Sequence, residues 1–172
     1  MHHYLSGIQQ IGIGVTDAEK AMQTYKHLFG MDVLIFDDVA QASLMTKYTG
    51  DKVYNRRAIL TMNLKGGGGL EIWQFLDRTP TKSNEIKLGD LGISAAIIKS
   101  DNIQKSYTRL KNITSITVSE IENCKSGVSF FWVNDGENLF KVVPQNDWFQ
   151  NGSHDLGGII GSVIGVSNME KS

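Results

Sequence analysis

The sequence predicts an α+β fold built from two βαβββ modules, and three observations carry that expectation. The opening stretch Gly7 to Lys20, GIQQIGIGVTDAEK, reads as an alternating strand that runs straight into a helix cap. The same order of elements returns after residue 90. The opening stretch itself recurs at an offset of 151 residues, as GIIGSVIGVSNMEK from Gly158 to Lys171.

In the first module, Ile11, Ile13 and Val15 fall on one strand face and Gln10, Gly12 and Gly14 on the other. Thr16 or Asp17 can cap a helix, because its side-chain oxygen accepts from a free amide of the first turn. The helix is expected over Ala18 to Phe29, with Ala21, Met22, Tyr25, Leu28 and Phe29 as its buried stripe and Gly30 as its left-handed stop. Met31 to Phe36 reads as a strand, Asp37-Asp38 as its turn, and Val39 to Tyr48 as a short helix. Tyr54 to Leu64 reads as a strand and Leu70 to Phe75 as another. The four glycines between them, Gly66 to Gly69, lead into a strand rather than a helix. They are therefore read as a flexible hairpin turn and not as a phosphate loop.

The second module begins with a strand over Asp90 to Lys99, a cap at Asp101-Asn102 and a helix over Ile103 to Leu110. Strands follow at Ile116 to Ile121, Val128 to Val133 and Asn138 to Val143, with turns at Lys125-Ser126-Gly127 and Asn134-Asp135-Gly136. The expected organisation is a first module over 7–77, a connector over 78–89 and a second module over 90–144. A tail covers 145–157, and 158–172 is the truncated start of a third module. Seven positions are identical between the opening stretch and its recurrence, including Gly7/Gly158, Gly14/Gly165 and Glu19/Glu170.

The composition excludes several classes of function. The 172 residues are 41% hydrophobic and 20% charged, which suits one compact domain with a core. Net charge is −1 with no basic stripe, so nucleic acid is not an expected partner. No signal peptide is read at the N-terminus, and no run is apolar enough for a bilayer, so a cytoplasmic protein without a membrane partner is expected. The single cysteine, Cys124, allows no internal disulfide and is read as a small residue near a turn in preference to a catalytic thiol.

The opening VTDAEKAMQTYKHLFGMDV and the closing FFWVNDGENLFKVV resemble the glyoxalase / bleomycin-resistance / extradiol-dioxygenase superfamily, the vicinal oxygen chelate fold. The resemblance covers nearly the whole chain. It implies one cupped, mixed β-sheet domain with the helices outside, and a cavity in which a divalent metal chelates neighbouring substrate oxygens. The family's four ligand positions, carried over in turn, fall on Gln10, Glu71, Ala95 (or Ser94 with a one-residue slip) and Lys141. Ala95 offers no ligand, and a lysine ammonium has no lone pair to give. Glutamine and glutamate alone hold a hard cation weakly, so no cofactor is expected unless other ligands complete the site. None of the four histidines, His2, His3, His27 and His154, is placed to do so.

Three functions are consistent with this reading. The first is a metal-free small-molecule-binding module whose pocket is lined by Gln10, Glu71, Trp73, Phe75, Leu139 and Lys141, which share a strand face by the period of two. In that pocket Glu71 either pairs with Lys141 and takes the Gln10 amide on its second oxygen, or Lys141 reaches out to solvent at the rim. The second is the non-catalytic half of a four-module extradiol-type dioxygenase. The third is a glyoxalase-type lyase or isomerase completed across a dimer. The apolar strand at 158–166 is expected to pair, through a homodimer or with the domain's own sheet.

Overall fold

The computed structural model describes residues 7–79 and 87–172. Residues 1–6, with His2 and His3, and residues 80–86 of the connector lie outside the described residues. Each module forms its own mixed sheet. In the first, β1 (Gln10–Gly14), β2 (Val33–Gln41), β3 (Asn55–Asn63) and β4 (Gly68–Phe75) are ordered β1-β4-β3-β2. In the second, β5 (Gly92–Ser100), β6 (Thr117–Val118), β7 (Glu122–Asn123), β8 (Ser129–Asn134), β9 (Leu139–Pro144) and β10 (Leu156–Gly165) are ordered β10-β5-β9-β8-β6, with β7 also on β8. The opening strand of each module runs parallel to that module's last strand, β1 to β4 and β5 to β9, and the other pairs are antiparallel. No helix of the described residues is long and apolar enough to cross a membrane.

The helix α1 (Ala18–Phe29) forms where the periodicity placed it. Asp17 accepts from the Lys20 amide at its start, and Gly30 ends it at φ 66°, a conformation glycine enters without strain. Its buried stripe is Ala18, Ala21, Tyr25, Leu28 and Phe29. Full burial of such side chains contributes about 1.5–3 kcal/mol each for the large ones. Tyr25 and Phe29 stack at 5.9 Å, and both meet Phe140 of β9, at 5.5 and 4.8 Å. The helix therefore packs on its own sheet through β3 and β4 and also meets the other module's sheet at Phe140, and the core is continuous through Leu70, Ile72, Phe131, Val133 and Val142. The second helix, α2 (Ile103–Lys111), is capped by Asn102 and covers β8 and β9.

Two polar seams join the modules. At one end the Asp135–Leu139 turn faces α1. The Tyr25 hydroxyl donates to Asp135 at 2.6 Å, and Asn138 donates to the Gly14 carbonyl at 3.2 Å. Burial, with the charge of Asp135, pushes the Tyr25 hydroxyl far above its ordinary range, so it serves as a neutral donor. At the other end Asn63, 3% exposed, donates to the carbonyls of Phe29 and Leu156 and accepts from the Gly66 amide. Arg109 of α2 adds bonds of 2.9 Å to Asp155 and to the Leu28 carbonyl.

Four local expectations are corrected. Asp37 and Asp38 lie inside β2, not in a turn. Diagonal cross-strand pairs hold them there, Asp37 to Arg57 and Asp38 to Arg56. Val39 to Tyr48 is therefore no helix. Its first residues complete β2, and only Ser43–Tyr48 turns, as a 3₁₀ segment. The strand expected over Ile116 to Ile121 reduces to the short β6, with the equally short β7 just beyond it, and both pair to β8. The Gly66–Gly69 run does make the β3–β4 turn, but it is not a loose one. A Cβ at Gly66 would stand 2.2 Å from the Gly157 carbonyl carbon, and one at Gly68 2.7 Å from the Ile159 amide. Glycine is needed because the start of β10 crosses the hairpin backbone to backbone.

β10 itself pairs antiparallel along β5, from Leu156 opposite Ser100 to Gly165 opposite Gly92. Of the two outcomes expected for this apolar strand, docking on the domain's own sheet is the one seen within the chain.

Candidate functional site

Leu70 and Ile72 of β4 face α1 and the core, so the alternate residues Glu71, Trp73 and Phe75 occupy the helix-free face of sheet one. Gln10 lies on the neighbouring β1, and it reaches Glu71 with its amide at 2.7 Å from Oε2. Trp73 donates its indole N–H to Oε1 of the same carboxylate at 3.0 Å. Both oxygens of Glu71 are thus taken by fixed donors. The Trp73 ring in turn meets Phe75 edge-on at 6.0 Å, and the Arg56 guanidinium sits 5.4 Å from the Trp73 centroid. Arg56 is held by Asp38 at 2.8 Å. The result is a polar cradle that sets the angle of an aromatic shelf.

On sheet two, Phe140 and Val142 face the core, which leaves Leu139 and Lys141 on its helix-free face beside Phe130 and Trp132 of β8. Lys141 does not pair with Glu71, and that expectation is corrected. Its ammonium lies 3.9 Å from the centroid of Phe130 and 5.5 Å from that of Trp132. The electron-rich ring faces supply what the carboxylate was expected to supply. Trp73 occupies the place on Glu71 that the lysine was expected to fill. The Gln10 amide does reach the second carboxylate oxygen, as expected. Gln10, Glu71, Trp73 and Phe75 therefore form one cluster, while Leu139 and Lys141 belong to another on the second sheet.

Ala95 is 4% exposed and sits opposite Val163, and Ser94 donates to the Val163 carbonyl at 3.2 Å. Neither contributes a donor to the Glu71 cluster. Among the described residues no group of three His, Cys, Asp or Glu side chains is placed to hold an ion. The donor set of such a metal does not fit these residues: Glu71 already accepts from Gln10 and Trp73, and Ala95 and Lys141 have no lone pair to add.

At the end of sheet two, Lys99 is 6% exposed, donates to the Asp147 carbonyl at 2.7 Å and lies 5.0 Å from the Trp148 centroid. Burial pushes its ammonium below the ordinary lysine range, against the charge of Asp147. Lys65 covers Trp148 as well, at 4.5 Å, so residues 145–155 strap the two sheets together. A cleft of about 510 Å³ opens at the C-terminal end of β4, lined by Val15, Thr16 and residues 74–79. It adjoins the shelf through Phe75, and a smaller groove of about 290 Å³ follows the seam between α1 and the Asp135–Leu139 turn.

Sequence reasoning missed Arg56, Asp38, Phe130 and Trp132. The doublets Asp37-Asp38 and Arg56-Arg57 were a readable sign of paired strands. Phe130 and Trp132 alternate with buried Phe131 and Val133, which the period of two exposes once β8 is known to neighbour β9.

No protein-family model and no curated protein sequence matches the chain. Solved structures do. A glyoxalase family protein from Bacillus cereus superposes with a TM-score of 0.65 at 12% identity, over 84% of this chain and 97% of that one. A glyoxalase family protein from Enterococcus faecalis gives 0.59 at 12% identity, over 82% and 99%. TioX from Micromonospora sp. ML1 gives 0.51 at 15% identity, over 82% and 100%. The chain has the glyoxalase-type fold that its motifs implied.

Proposed function

We propose that this glyoxalase-fold domain binds a small amphipathic molecule without metal, on the helix-free face of sheet one. The observation that carries the reading is the double engagement of Glu71 by Gln10 and Trp73. A carboxylate with both oxygens occupied works as a brace for the indole rather than as a metal ligand. The braced surface offers an aromatic pair, Trp73 and Phe75 set edge-on, beside polar edges, which is the make-up of a small-molecule site. A dioxygenase or lyase that held its metal within this chain alone would need several donors, and the positions Ala95 and Lys141 supply none. The lone Cys124 agrees with action in a reducing cytoplasm.

The test is a titration of the full chain with 2-naphthoate and 2-naphthamide, followed by the indole N–H resonances of the three tryptophans. The Trp73 resonance is expected to move with saturation, and EDTA is expected to leave the titration unchanged. A stoichiometric divalent metal that co-purifies and is lost in Glu71→Ala would overturn the proposal.

A further inference from the structure

We propose that the ligand of this shelf is a planar organic anion, an aromatic carboxylate being the simplest case, and that Arg78 recognises its charge. The inference rests on the reading of sheet one's helix-free face as the ligand surface. Trp73, Phe75 and Tyr54 form a continuous row, each neighbouring pair edge-on at 6.0 Å. The row ends at Arg78, whose guanidinium lies 5.1 Å from the Tyr54 centroid and 5.1 Å from that of Phe75. The cleft of about 510 Å³ opens at this end and has Phe75 and Arg78 in its wall, a size that suits a bicyclic molecule.

Among the described residues, the neighbouring charges are paired elsewhere and leave this guanidinium for a ligand. Arg56, at the other end of the row, is already paired with Asp38 at 2.8 Å. Asp77, next to Arg78 in sequence, is turned the other way and accepts from the Asn55 amide at 3.0 and 2.9 Å and from its side chain at 3.0 Å. Glu71 accepts from Gln10 on one oxygen and from Trp73 on the other. Among the described residues Arg78 meets no carboxylate within 4.0 Å. The Arg78 guanidinium lies over both the Tyr54 and Phe75 rings, whose electron-rich faces favour a cation there. Its fork of N–H donors matches the two oxygens of a carboxylate, while the edge-on rings beside it offer faces and edges against which the ligand's planar body packs. A neutral planar molecule would gain the stacking and forgo the fork.

The experiment compares 2-naphthoate with its neutral isostere 2-naphthamide and with 2-naphthylmethylammonium, on the full chain and on Arg78→Gln, by calorimetry. The anion is expected to bind about tenfold tighter than the amide, as one charge-assisted contact provides. Arg78→Gln is expected to remove that preference, weakening the anion about tenfold more than it weakens the amide. If the amide binds as tightly as the anion, or the preference survives in Arg78→Gln, the anion inference falls and the shelf remains a ligand surface. If none of the three compounds binds the full chain, the ligand-surface reading falls and takes the inference with it.

Discussion

β1 runs parallel to β4, whereas β10 runs antiparallel to β5 with three register irregularities, although the stretches that contain them share seven identities. Both stretches begin on a glycine, alternate, and end in an Asx cap. Asp17 accepts from the Lys20 amide and starts a helix of 12 residues, while Asn168 accepts from Glu170 and starts a 3₁₀ turn of 3. The glycines show why the pairing differs. Gly12 and Gly14 have nothing within 4 Å of where a Cβ would stand. At Gly158 a Cβ would come 2.5 Å from the Gly66 carbonyl oxygen, and at Gly165 1.8 Å from that of Asp90. In β1 the glycines leave one strand face open toward the site. In β10 they admit another backbone. The local pattern made a strand in both places, and the available neighbour chose its direction and its use.

The largest test of this contrast is Asn63→Ala. It strands the carbonyls of Phe29 and Leu156 and the amide of Gly66 in a buried seam, and should lower stability by about 3 kcal/mol. Urea denaturation measures the loss. Amide exchange shows where it falls: β10 should open first while the β1–β4 amides stay protected. Equal loosening of both strands would break the comparison. Next come the paired glycines at equivalent places. Gly165→Ala must displace the Asp90 backbone and is expected to cost about 2 kcal/mol, whereas Gly14→Ala should stay within about 0.5 kcal/mol of the parent. Similar melting temperatures for the two variants would show that the contact at Asp90 yields freely. A smaller effect, about 1 kcal/mol, is expected from Gln10→Ala, which takes one donor from Glu71. Its sharper readout is a shifted Trp73 indole resonance, because the brace is released on one side.

The sequence was most legible where one element decides its own form. The α1 boundaries, both helix caps and the Gly30 stop follow from side chains within a turn of the position concerned. It was least legible where two distant stretches decide together. Asp37-Asp38 carries a turn signal, and only the facing Arg56-Arg57 keeps it in a strand. The Gly66–Gly69 run looks loose until Gly157-Gly158 is laid across it. Half of the candidate site shows the same limit. The Gln10–Glu71 contact is set by adjacent strands and was foreseen, whereas the fate of Lys141 depended on Phe130 and Trp132, whose neighbourhood with β9 a single strand's alternation does not reveal.

The smallest expected effect is a pH dependence confined to the β10 end. His154 is half-buried where the tail enters β10, packed against Gly30, at which a Cβ would stand 2.6 Å from the imidazole Cγ. Burial, and next the positive charge of Arg109, hold its imidazole below the ordinary 6.5, while Asp155 and Asp32 act in the opposite sense. The folded chain therefore binds fewer protons than the unfolded chain once the pH falls below about 6.5. The corresponding stability is fully present above that value and is lost as pH falls through the window between 6.5 and the lower folded value. The β1 end has no described histidine in this role, since His27 points outward on α1. Urea midpoints at pH 7.5 and 5.5 should thus fall for the parent chain and change less for His154→Gln. Amide exchange at the lower pH should rise along β10 before it rises along β1. An equal fall in the variant, or exchange that rises first in β1, would place the acid-sensitive contact elsewhere in the fold.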